Sequence, residues 1–182
     1  MEHPEDGYDR GLAEILIDPF LYAVRLHIEN IELETNTVEI KREYVEGLES
    51  ILVQKDISTA VSIVPELKNC IKLMHVPNIE EDVCVMLGHI AQNVRPVSEE
   101  LVRERVFREC FVLYEKKPLA ASKIIFLLTT LNNTLADFVP LLREAGEDPS
   151  VLSRLVLGEV SLNTKSKERL SVLCKAFGIP EH

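Results

Sequence analysis

Apolar residues recur at helical spacing along nearly the whole chain, and no segment alternates between polar and apolar residues. In residues 38–54, for example, Val45, Leu48 and Leu52 follow the i, i+3, i+7 spacing of one helix face. Sustained two-residue alternation is the pattern that a half-buried strand requires. The sequence therefore predicts an all-α protein without a sheet.

Proline, glycine and capping residues mark where the predicted helices begin and end. Asn78 followed by Glu81 is typical of a capping box, and Ser98 and Thr164 are expected to open helices. Gly146 and Gly178 are expected to end helices. The predicted helices cover residues 11–30 (interrupted at Pro19), 38–54, 57–64, 65–75, 79–93, 98–116, 118–132, 134–145, 149–160 and 164–177.

The longer helices match one another at offsets of about 40 residues. Offsets of 39 and 40 superimpose Leu48, Leu87 and Leu127, and a further offset of 46 brings Leu173 into the same layer. A period in this range is typical of armadillo and HEAT repeats. The sequence predicts a right-handed armadillo/HEAT-like helical solenoid of about three to four repeats, with Leu48, Leu87 and Leu127 in one core. An irregular helical bundle is the alternative.

Polar residues of the three long helices fall into register under the same offsets. They form a stripe that we call the polar ladder, and a solenoid would place it on a concave protein-binding groove. The alternative is that the ladder is only the solvated side of amphipathic helices. The nine members of the polar ladder are Glu43, Ser50 and Gln54, then Asp82, His89 and Asn93, then Ser122, Thr129 and Asn133.

Charge and composition exclude several classes of partner. The 182 residues include 30 acidic and 20 basic side chains, which gives a net charge of −10. Nucleic acids and anionic membrane surfaces are therefore not expected as ligands. The longest uncharged run, Ile124–Ala136, is too short and too polar for a spanning helix. Since residues 1–11 lack a basic and apolar leader pattern, a cytoplasmic location is expected; the endoplasmic reticulum lumen is the alternative if a signal peptide has been removed.

The chain carries no recognisable constellation of catalytic or metal-ligating residues. Its five histidines form no His-x-x-x-His or Glu-x-x-His motif, and no phosphate-binding loop or nucleophile elbow occurs. The four cysteines lack Cys-x-x-Cys spacing and sit in apolar helical patterns, so free buried thiols are expected. We therefore expect neither an enzyme nor a protein with a metal ion or a cofactor.

Three stretches resemble the armadillo-type nucleotide-exchange factors of heat-shock-protein-70 chaperones. They read GLESILVQKDISTAVSIV, PELKNCIKLMHVPNIEEDV and CVMLGHIAQNV. The most specific match, Leu87–Asn93, is similar to that family's Leu-Gly-Thr-Ala-hydrophobic-Gln-Asn helix. The resemblance covers roughly residues 39–145, and the chain departs from the family in its short length and in lacking the paired glycines at repeat boundaries.

The resemblance implies a co-chaperone that acts mechanically and without bond chemistry. It would bind the ATPase domain of a heat-shock-protein-70 chaperone as a monomer, favour an opened nucleotide cleft and so promote ADP release. The polar ladder would supply the polar contacts. Residues 1–34 would be a helical extension and residues 35–182 the armadillo-like domain. A helical-repeat scaffold or adaptor subunit without exchange activity is the alternative.

Overall fold

The structure is a computed structural model, and it describes residues 18–53 and 57–181. These residues are largely helical and contain no strand, as the sequence predicted. Short 3₁₀ segments precede or follow several helices, at Val64–Glu66, Leu73–His75, Pro118–Ala120 and Pro149–Leu152. The α-helices, in chain order, are α1 (Pro19–Glu32), α2 (Val38–Leu52), α3 (Ile57–Ile63), α4 (Leu67–Lys72), α5 (Glu80–Ala91), α6 (Arg95–Arg103), α7 (Val106–Lys116), α8 (Ala121–Thr134), α9 (Phe138–Glu144), α10 (Ser153–Leu157) and α11 (Thr164–Phe177).

Two expected capping residues, Asn78 and Thr164, were wrong, each for a local reason. At the expected interruption, α1 begins with Pro19 in its first turn, where a missing N–H costs nothing. Asn78 does not cap α5, because it has φ +72° and the capping position falls on Ile79. Thr164 is already helical, and the side chain of Asn163 caps α11 by accepting from the Ser166 N–H. The residues of the expected segment before position 18, and Gln54–Asp56, lie outside the described residues.

The predicted helix 98–116 is two helices. The break falls at Arg105, which has φ +64° and therefore cannot continue a right-handed helix. Ser98 lies inside α6 and is fully buried, so it does not open a helix. The helix ends at Gly146 and Gly178 were predicted correctly, since both glycines have positive φ just after α9 and α11.

Five long helices pack against one another in chain order: α1 on α2, α2 on α5, α5 on α8 and α8 on α11. Contacts between α2 and α5 join residues 40 apart at two levels, Arg42 to Asp82 and Glu49 to His89. The two helices therefore run in the same direction and in register. The shorter helices pack around this row, with α6 in contact with α5 and α8 as well as with α3, α4 and α9.

A single hydrophobic core runs along the row of helices. Leu48, Leu87 and Leu127 are fully buried in it, which confirms the expectation that they share one core. The four cysteines are buried and free, as expected. Val24, Ile28 and Ile31 of α1 belong to the same core.

The C-terminal end of α5 is fixed by side chains from two neighbouring helices. The Ala91 carbonyl accepts the Ser98 hydroxyl of α6 at 2.9 Å and the Thr134 hydroxyl of α8 at 3.4 Å. The Thr134 hydroxyl oxygen in turn accepts the Asn93 N–H at 3.1 Å. Because α5 is anchored at this end, its side chains keep a fixed register against α8.

Among the described residues, no single helix has the length and apolar composition needed to cross a bilayer. The required length and apolar composition are met only when Pro118–Thr134 and Phe138–Glu144 are taken together, and that pair bends by 104° at its break.

Candidate functional site

The candidate site is a polar surface formed by α2, α5, α8 and α11, which we call the four-helix face. Two adjoining depressions of about 270 and 310 Å³ lie on it and share Val85, His89 and Lys123. The first lies over α2 and α5, and the second lies over α8 and α11. The lining residues are Arg42, Val45, Glu46, Glu49, Glu81, Asp82, Val85, His89, Ser122, Lys123, Phe126, Asn163, Lys165, Ser166 and Arg169.

The end of the face over α2 and α5 carries carboxylates that are mostly paired. Arg42 contacts Asp82 at 3.3 Å, and the Glu49 carboxylate accepts a hydrogen bond from His89 Nδ1 at 2.6 Å. Glu81 lies 3.7 Å from the ammonium of Lys117. Of the carboxylates in this depression, Glu46 alone has no side-chain partner among the described residues. Four carboxylates line this depression against the two cations Arg42 and Lys123, and Lys117 is shared with Glu80, so this end remains acidic.

The end of the face over α8 and α11 carries cations without carboxylate partners. Lys123 comes from α8, and Lys165 and Arg169 come from successive turns of α11. No carboxylate of the described residues lies within 4.0 Å of these three side chains. The uncompensated charge of the four-helix face is therefore positive at this end.

Phe126 lines the depression over α8 and α11 and contacts His89, which borders both depressions. The imidazole of His89 meets its ring edge to face with 5.5 Å between centroids, and the guanidinium of Arg169 lies 5.1 Å from the ring centroid. The ring lies over Gly88, where a β-carbon would come within 2.5 Å of it. The absence of a side chain at Gly88 thus lets Phe126 sit between α5 and α11 and hold Arg169 by a cation–π contact.

The structure brings three members of the polar ladder, Asp82, His89 and Ser122, together on the four-helix face. Glu43, Ser50, Asn93 and Asn133 are exposed but do not line its depressions. Thr129 is half-buried, and its hydroxyl has no hydrogen-bond partner among the described residues. Gln54 lies outside the described residues.

Sequence reasoning missed the cations and the aromatic ring of the face. Lys165 and Arg169 stand four residues apart on α11, which places them on one side of that helix. The offset of 46 would have set Phe126 opposite Val172, but the ring lies beneath Arg169, three residues earlier. This difference is close to one helical turn, so the apolar pattern of α11 fits both alignments. The i, i+4 spacing of Lys165 and Arg169 is the sequence signal that could have placed α11 on the four-helix face.

Two of the buried thiols are held protonated, and the described residues contain no candidate metal cluster. Burial raises the pKa of the Cys70 and Cys84 thiols to about 12, so neither is a thiolate at neutral pH. Residues 18–53 and 57–181 contain no group of three or more His, Cys, Asp or Glu side chains that could hold a metal ion. What the four-helix face offers is a surface of hydrogen-bonding and charged groups.

Comparison with known proteins gives no match for this chain. No model of a known protein family matches it. Neither a curated protein nor a solved structure is detectably similar to it.

Proposed function

We propose that the protein is a protein-binding module that holds its partner on the four-helix face. The observation that carries this proposal is a continuous polar surface built by four helices that pack in chain order, with separate acidic and basic ends. Exposed side chains from four elements can contact an extended partner at several points. Arrays of stacked helices commonly bind proteins in this way.

The partner we propose is the ATPase domain of a heat-shock-protein-70 chaperone, with ADP release as the consequence. The segment Leu87–Asn93, which carries the resemblance to armadillo-type exchange factors, forms the second half of α5 and the turn after it. It contributes His89 to the middle of the four-helix face. An armadillo-like arrangement of α2, α5, α8 and α11 as successive repeats is part of this proposal. Binding would favour the open nucleotide cleft through a difference in affinity between the open and closed states.

The test is release of a fluorescent ADP analogue from an isolated chaperone ATPase domain, followed by stopped-flow fluorescence. We expect the protein to accelerate release, and Lys123→Glu to reduce the acceleration because Lys123 borders both depressions. Lys116→Glu is the matched control, since Lys116 is also an exposed lysine, at the end of α7, and lines neither depression.

The outcomes separate the proposals. Binding without faster ADP release would favour the scaffold or adaptor alternative over an exchange factor. Equal loss of activity in Lys123→Glu and Lys116→Glu would remove the four-helix face as the binding surface. Absence of both binding and acceleration would overturn the chaperone as partner.

A further inference from the structure

We infer that the depression between α5, α8 and α11 binds an acidic peptide segment of the partner. This inference rests on the proposed function of the four-helix face as a protein-binding surface and names the chemistry of what it binds. It differs from the expectation that composition alone gives, because a chain of net charge −10 is expected to favour basic partners.

The cations around this depression converge from two helices. Lys123 on α8 and Lys165 and Arg169 on α11 border a space of about 310 Å³, and Ser122 and His89 complete its polar lining. Like charges that gather without counter-charges repel one another, and an anion placed among them relieves that repulsion. The chain has an excess of carboxylates, yet none within the described residues pairs with these three cations.

Arg169 is oriented for binding a carboxylate. Its guanidinium is held at the Phe126 ring, and no described residue accepts a hydrogen bond from it. A guanidinium stacked on an aromatic ring keeps its N–H groups free at the edge, where they can form two parallel bonds to one carboxylate. Arg169 therefore has its conformation fixed in advance while its donors remain available.

The shape of the site favours a peptide over a single small anion. The depression adjoins the one over α2 and α5 through Val85, His89 and Lys123, so a peptide can place its acidic residues among the cations and continue with uncharged or basic residues towards the acidic end. The positive end of the fourteen-residue helix α11 lies at this depression through Asn163 and Ser166 and adds to its attraction for carboxylates. A long polyanion such as a nucleic acid would meet repulsion from the rest of this acidic chain.

The experiment measures fluorescence anisotropy of a labelled hexaglutamate peptide titrated with the full chain at low and at physiological salt. We expect binding that weakens with salt, and a loss of affinity of about tenfold or more in Lys165→Ala/Arg169→Ala, because two charge-assisted contacts are removed. Lys175→Ala is the matched control: it removes an exposed cation from the last turn of the same helix, away from the depression. We expect this control to change affinity by less than about twofold.

Arg169→Lys keeps the charge without the planar fork, and its affinity should fall between the intact chain and the double variant. Circular dichroism of each variant confirms that the comparison is made between folded proteins. The inference is overturned if hexaglutamate does not bind, if hexalysine binds better, if Lys175→Ala weakens binding as much as the double variant, or if inorganic phosphate displaces hexaglutamate at equal concentration.

The two proposals fail separately. If hexaglutamate does not bind while the protein still accelerates ADP release, the acidic-peptide site is wrong and the exchange activity stands. If hexaglutamate binds as expected but the chaperone ATPase domain does not, the anion-binding site stands and the proposed partner is wrong.

Discussion

The ring of Phe126 lies against the Cα atom of Gly88, at a position where a β-carbon would approach the ring to 2.5 Å. We expect Gly88→Ala to displace the ring and to lower the free energy of unfolding by about 1–3 kcal/mol, the usual cost of overpacking. Urea denaturation measures this cost. In a Phe126→Ala background the same change should cost much less, because the clashing ring is gone. An equal cost in both backgrounds would contradict the contact.

Leu87 should be among the most sensitive core positions. It is fully buried in the core that contains Leu48 and Leu127. We expect Leu87→Ala to lower the free energy of unfolding by about 2–5 kcal/mol, because the truncation leaves a cavity. Leu119→Ala is the control, since Leu119 is 74% exposed and should change stability by less than about 0.5 kcal/mol. Similar costs at the two positions would mean that Leu87 is not in the core.

The buried hydroxyl of Ser98 should contribute to stability through the Ala91 carbonyl. Ser98→Ala removes a 2.9 Å hydrogen bond between α6 and the end of α5. We expect a loss of about 1 kcal/mol in thermal or chemical denaturation, the usual net value of such a bond. Ser50→Ala removes an exposed bond to the Glu46 carbonyl within α2 and should have a smaller effect. The reverse order of the two costs would contradict this account of the α5 end.

Asn93 should be sensitive to substitution for a backbone reason as well as for its place in the polar ladder. It has φ +60° directly after α5, a conformation that asparagine and glycine tolerate and alanine disfavours. We expect Asn93→Ala to cost about 1 kcal/mol of stability and Asn93→Gly to be nearly neutral. Asn133→Ala lies within α8 and should be neutral. A loss of partner binding in Asn93→Ala could come from the strained backbone alone. The comparison with Asn93→Gly, which lacks that strain, separates this cause from loss of the side-chain contact.

Buried thiols should make the protein less stable in alkali. Burial raises the pKa of Cys70 and Cys84 to about 12 from the ordinary 9.0. Between these values the unfolded chain binds fewer protons than the folded chain, so the free energy of unfolding falls as pH rises above about 9. We expect a loss of about 1 kcal/mol per thiol between pH 8 and pH 10.

Denaturant titrations at several pH values measure this loss. Because lysines and tyrosines also titrate in alkali, the comparison is with Cys84→Ala, whose stability should depend less steeply on pH. An identical pH dependence in the two proteins would show that the Cys84 thiol does not contribute.

Periodicity was sufficient for the main part of the fold. The apolar spacing of Val45, Leu48 and Leu52 predicted both the helical class and the buried side of α2, because burial of one face is what produces such spacing. Helix boundaries were less certain where two neighbouring helices shared one apolar pattern. The break at Arg105 left no signal, since its positive φ falls on an arginine and not on the glycine or asparagine that usually marks such a position.

By itself, the sequence determined the helical class, the burial of Leu48, Leu87 and Leu127 in one core, and the free buried cysteines. These features depend on residue type and on spacing within single segments. The tertiary structure decided which charges are neutralised and which remain free. Asp82 and Glu49 acquire partners from a neighbouring helix, whereas Lys165 and Arg169 do not acquire a carboxylate among the described residues. The sign of the uncompensated charge depends on contacts between residues far apart in the chain. The net charge of the sequence therefore could not predict it.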